Sequence, residues 1–119
     1  MNFKMNNRNW SIKEISQEEI KTMQNKRRAN EEENVKSVNP RYYGVTYVDT
    51  QKIYIDKDLP DDRKRQVLIH ELTHCYIAEY ITHSEQKYEE DDVADIVSNS
   101  FDIIYEIIDN YFSKVLSTN

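Results

Sequence analysis

Pro60, Asp61 and Asp62 open a stretch whose chemistry fits the start of a helix. Proline's fixed φ suits a first helical turn, and carboxylates there meet the positive end of the helix dipole. A helix is therefore expected from Pro60 to about Ile81. It contains His70-Glu71-Leu72-Thr73-His74, and on a helix residues four apart stand one above the other on a single face. Whatever else the chain folds into, it has to present this histidine pair on the side of one long helix.

The other elements follow from local pattern. Trp10 to Ile15 alternates apolar and polar side chains and reads as a half-buried strand. Ser16 and Glu19 have capping-box spacing, so a helix is expected from there to about Val35. Its apolar positions are few (Ile20, Met23, Ala29), which predicts a weakly held helix suited to a flap or a partner surface. Asn39-Pro40 breaks the chain, and Tyr42 to Asp49 and Lys52 to Asp56 read as a β-hairpin. After a polar link, Val93, Ile96, Val97, Ser100, Phe101, Ile104, Ile108, Tyr111, Phe112 and Val115 recur at helical spacing. Residues 90–116 are thus expected to form a long amphipathic helix packed on the one before it. The order is strand, helix, hairpin, helix, helix, an α+β fold.

A chain of 119 residues has the length of one domain with one core. A single domain over 1–119 is expected, with residues 1–9 flexible. Its apolar residues are concentrated after residue 41, which predicts an ordered core in the second two thirds and a more solvated first third. The net charge of -6 argues against nucleic acid, whose recognition needs a basic face. The basic cluster Lys26-Arg27-Arg28 is followed within a turn by Glu31-Glu32-Glu33 and reads as a solvated helix face. No apolar run has the length of a membrane span, and Met1 to Trp10 has no signal-peptide core. The expected location is the cytoplasm, without membrane contact. The single cysteine, Cys75, fits a reducing compartment and points to a different side of the helix from His74, so packing is its expected role.

The pattern His-Glu-x-x-His on a helix is suited to zinc chemistry. His70 and His74 supply two imidazole nitrogens to one Zn2+, and Glu71, about 100° round the helix, reaches a water rather than the metal. The blander possibility is a helix with two half-buried polar histidines. Catalytic zinc takes three protein ligands, and the downstream sources are His83 and the run Glu89-Glu90-Asp91-Asp92. The elongated HExxHxxGxxH pattern would need glycine at 77 and histidine at 80, where the chain has Ile77 and Tyr80, so the metzincin class is excluded. His83 reads as a surface residue near the helix end. The acidic run is the better source because it opens the last helix, although acidic residues are also ordinary at a helix N-terminus. Amphipathicity favours Glu90, which falls nearer the stripe of Val93, Val97 and Ile104. Among the tyrosines of the hairpin, Tyr42, Tyr43, Tyr47 and Tyr54 are candidates for an oxyanion donor, with packing as the commoner role.

His70-Glu71-Leu72-Thr73-His74, followed by Asp91-Asp92-Val93-Ala94-Asp95-Ile96-Val97-Ser98, resembles the short zincin metallopeptidases of the ImmA/IrrE type, common on phages and mobile elements. The resemblance covers roughly residues 40–105. In that family the second motif is E-x-x-A-(N/D)-x-F-A, with its glutamate as third zinc ligand. The resemblance therefore implies Asp91 as the third ligand beside His70 and His74, Glu71 as general base, and Asp95 orienting an imidazole from one turn further on. Asp91 is one methylene shorter than the family's glutamate, and Val97 and Ser98 stand where the family has Phe and Ala. It also implies a minimal zincin-like domain: a small twisted β-sheet packed on the HExxH helix, with the long C-terminal helix completing core and site.

The function this implies is zinc-dependent hydrolysis of peptide bonds in a protein or peptide substrate, such as a mobile-element repressor. The alternative is a non-catalytic interaction module, an anti-repressor or partner-binding protein that keeps zinc as a structural tie. Glu71 separates the two, because a closed structural site has no use for a free carboxylate beside it.

Overall fold

The computed structural model describes residues 1–30, 43–81 and 90–117, without the side chains of 27–30, 90–93 and 114–117. Its elements in chain order are β1 (Asn2–Met5), β2 (Arg8–Ile15), α1 (Gln17–Asn30), β3 (Gly44–Tyr47), β4 (Lys52–Asp56), α2 (Asp61–Tyr80) and α3 (Glu90–Ser117). The four strands form one mixed sheet in the order β1-β2-β4-β3, with β2 and β4 parallel and the other two pairs antiparallel. The architecture is α+β, as expected. The expected end of α1 at Val35, Tyr42 of the hairpin, and His83 and Glu89 of the polar link lie outside the described residues.

Residues 1–9, expected to be flexible, instead build an edge strand. Asn6 and Asn7 both take positive φ, 53° and 62°, a two-residue reversal that asparagine tolerates and that matches strand twist. The reversal aligns Met5 with Arg8 and Phe3 with Trp10. Phe3 and Trp10 stack, and Phe3 and Met5 are buried. The turn is pinned to the last turn of α2: the Asn6 N–H donates to the Tyr80 hydroxyl and Asn6 Nδ2 to the Glu79 carbonyl, each at 2.9 Å, while Arg8 pairs with Glu79. The first third of the chain is accordingly less solvated than its composition suggests, since it places Phe3, Met5, Trp10, Ile12, Ile15 and Ile20 inside.

The sheet has helices on both faces. On one, Phe3, Met5, Trp10, Ile12, Ile53 and Ile55 pack against Leu68, Leu72, Cys75 and Tyr76 of α2 and Ile96, Ile104, Ile107, Ile108 and Tyr111 of α3. On the other, Ile15, Ile20 and Val45 gather Met23, Tyr47 and Tyr54 under α1. The α1 start is capped as its spacing predicts: the Ser16 hydroxyl accepts from the Glu19 N–H and donates to its carboxylate, both at 3.2 Å.

In α3 the covered stripe is narrower than the sequence suggests. Ile96, Ser100, Ile104, Ile107, Ile108 and Tyr111 are buried, whereas Val97 and Phe101 are 59% and 54% exposed. Among the described residues, one helix and one sheet cover one side of α3, and the apolar positions extend beyond it. Phe101 and Tyr105 pair instead on the outer side, where the Arg65 guanidinium lies 5.0 Å from the Tyr105 ring centre. Among the described residues, no helix is long and apolar enough to cross a membrane.

Candidate metal centre

His70 and His74 stand on consecutive turns of α2 with their Nε2 atoms 3.2 Å apart and their rings nearly perpendicular, at 79°. Both are exposed, the His70 side chain to 71%. Two zinc–nitrogen bonds of about 2.0–2.1 Å meeting at a tetrahedral angle place their nitrogens about 3.3 Å apart. The pair has that spacing, and its two nitrogens face one another. The donor set therefore fits a divalent ion of zinc's size.

Glu71 turns the other way, towards the sheet, and is buried. Its Oε1 accepts a hydrogen bond from the Thr46 hydroxyl at 2.9 Å, and its Oε2 lies 4.0 Å from His70 Nε2. The Thr46 hydroxyl is also 3.4 Å from the Glu71 carbonyl oxygen. The helix reaches this depth because residue 44 has no side chain. A Cβ on Gly44 would sit 2.7 Å from Val67 Cγ1 and 3.2 Å from Glu71 Cγ. The chain's one glycine thus stands at the closest crossing of β3 and α2, in a backbone conformation that needs no positive φ.

The model of the IrrE N-terminal-like domain family, Peptidase_M78, matches residues 15–116. The chain belongs to this family. No curated protein and no solved structure matches it. Membership in the IrrE N-terminal-like family carries a metallopeptidase type of function in general, and the match spans α1 to α3, so that both histidines lie within it.

A catalytic zinc on the histidine pair of this IrrE N-terminal-like domain would need a third protein ligand. Among the described residues no third His, Cys, Asp or Glu joins the pair to complete a metal-binding group. Asp91 and Glu90 occupy the first turn of α3, and their side chains are outside the described residues. Arg65 packs on Tyr105, and each is fifteen residues from the facing helix ends, Tyr80 and Glu90. Lys64 and Tyr111 likewise meet at Glu14, so the later part of α3 lies along the early part of α2 and the two helices run antiparallel, with the start of α3 towards the C-terminal half of α2. Asp95 is exposed, and no hydrogen bond among the described residues joins it to either histidine.

Other residues are placed away from the pair. Cys75 is fully buried; burial, with the charges of Glu71 and Glu79, pushes its thiol up, so it packs as a neutral thiol. Tyr47 and Tyr54 meet edge to face on the α1 side of the sheet, opposite Glu71. Tyr43 is exposed just before β3. Thr46 and Gly44 belong to no motif of the sequence. A lone glycine in a β-rich segment was the available signal for a close backbone approach.

Proposed function

We propose that this chain is a zinc-dependent peptidase in which His70, His74 and Asp91 hold the metal and Glu71 is the general base. The observation that carries the reading is the facing pair of Nε2 atoms at 3.2 Å with a carboxylate oxygen 4.0 Å from one of them. Zinc bound there supplies a Lewis acid that polarises a carbonyl and brings the pKa of a water towards neutrality. Glu71 accepts the proton of the water that adds to the scissile carbonyl carbon. It returns that proton to the amide nitrogen as the C–N bond breaks, leaving a carboxylic acid and an amine, which then exchange the acid's proton to become carboxylate and ammonium.

The substrate in this reading is a protein segment in extended form. Among the described residues β3 is an edge strand, and its Thr46 side chain contacts Glu71, so a strand added along that edge would bring a peptide carbonyl towards the histidines. The resemblance to phage and mobile-element peptidases makes a repressor the favoured substrate, in the cytoplasm. The net charge of -6 favours a protein partner over nucleic acid.

One observation favours the alternative of a non-catalytic zinc-containing interaction module: Val97, Phe101 and Tyr105 form an exposed apolar row on α3. The Glu71→Gln variant separates the two. On the peptidase reading it keeps zinc and fold but yields no new protein N-termini when incubated with an extract of the host cell, whereas the unaltered chain yields them. Equal biological activity of the variant and the unaltered chain would favour action by contact.

A further inference from the structure

A carboxylate beside two facing histidines has two possible roles. It can accept a proton, or it can bind the ion itself, since carboxylate oxygens are good zinc ligands. A Glu71 bound to the metal would no longer serve as a base. The residues around Glu71 bear on this choice.

Thr46 lies on β3, on the face covered by α2, and is buried. Its hydroxyl donates to Glu71 Oε1 at 2.9 Å. Among the described residues it is the one hydrogen-bond donor to that carboxylate. Threonine's branched side chain has few χ1 choices on a strand, so the hydroxyl is held in place. The depth of the carboxylate is set by Gly44, whose absent Cβ would come 3.4 Å from Glu71 Cδ. One fixed hydroxyl and one missing methyl group therefore define the direction in which the carboxylate points.

We infer that Thr46 is a positioning residue that keeps Glu71 in the role of base and out of the metal's coordination shell. The inference rests on the peptidase reading. Without the hydroxyl, a buried carboxylate loses its partner, and the strongest remaining one is the cation held by His70 and His74.

The test uses the full chain and Co2+ as a probe, whose visible absorption reports its ligands. Dissociation constants and spectra are compared for the unaltered chain, Thr46→Val, Thr46→Ser, Glu71→Gln and the double variant Thr46→Val with Glu71→Gln. Thr46→Val is expected to bind Co2+ about tenfold more tightly, the scale of one hydrogen bond to a charged group, with a changed visible band. Thr46→Ser, which keeps the hydroxyl but not the branch that holds it, is expected to bring the constant and the band back towards the original. In the Glu71→Gln background the valine substitution is expected to change neither. Unchanged binding and spectrum in Thr46→Val, or a change that persists in the double variant, overturns the role of Thr46 while leaving the metal site intact. If Thr46→Val fails to fold by circular dichroism, Thr46→Ala decides by the same criteria. Failure of the unaltered chain to bind Co2+ or Zn2+ removes the peptidase reading, and the role of Thr46 with it.

Discussion

The Lys64 ammonium lies 2.7 Å from Glu14 Oε1, joining α2 to a strand fifty positions earlier in the chain. The Tyr111 hydroxyl donates to the other carboxylate oxygen, so that β2, α2 and α3 meet at one group. Burial pushes Glu14 up, but the hydrogen bonds from Lys64 and Tyr111 outweigh it and hold its carboxyl below the usual 4.5.

A depressed folded pKa means that the folded state holds the proton less tightly than the unfolded chain. The resulting stability is present above pH 4.5 and is lost as pH falls through the lower folded value. Urea unfolding from pH 6 to pH 3 should show this loss. Lys64→Met should cost about 1 kcal/mol at pH 6 and reduce the acid dependence. An acid limb identical in the variant and the unaltered chain would show that the pair adds nothing.

Gly44→Ala should destabilise the domain by about 1–3 kcal/mol, the usual cost of forcing a methyl group into a packed contact. The added carbon would meet Val67 Cγ1 at 2.7 Å, so Val67→Ala in the same chain should recover part of the loss. Thermal melting of the two single variants and the double variant checks this. Simple additivity of the two single losses would place the strain elsewhere.

Ile108 and Phe101 are both apolar residues of α3, and their substitutions should behave differently. Ile108 is fully buried, so Ile108→Ala should cost about 2–5 kcal/mol. Phe101 is mostly exposed, and Phe101→Ser should stay within about 0.5 kcal/mol. A large loss at Phe101 in urea unfolding would show that a further element covers this side of the helix.

Much of this was legible in the sequence because the deciding interactions are local. Pro60 with two aspartates marks the start of α2, Ser16 with Glu19 marks that of α1, and the turn at Asp49 to Gln51 separates two strands that do pair. Strand β1 was not legible, since its two inward residues, Phe3 and Met5, sit in an otherwise polar segment and its Asn6-Asn7 turn lacks glycine. The exposure of Val97 and Phe101 was hidden for a different reason. Helical period identifies apolar positions, but the width of the neighbour decides how many of them are covered.

The same distinction applies to the site. His70, Glu71 and His74 come from a five-residue spacing, and helix geometry alone brings the imidazoles together. Thr46 meets Glu71 across 25 positions of chain, a contact that only the packing of β3 on α2 creates.

Whether the histidine pair holds a metal ion is decided by elemental analysis of the full chain, purified without added metal or affinity-tag histidines, beside His74→Ala. About one zinc per chain in the unaltered protein and none in the variant is the predicted result. Absence of metal from both, even after zinc is supplied, would contradict the metal site and the peptidase reading built on it.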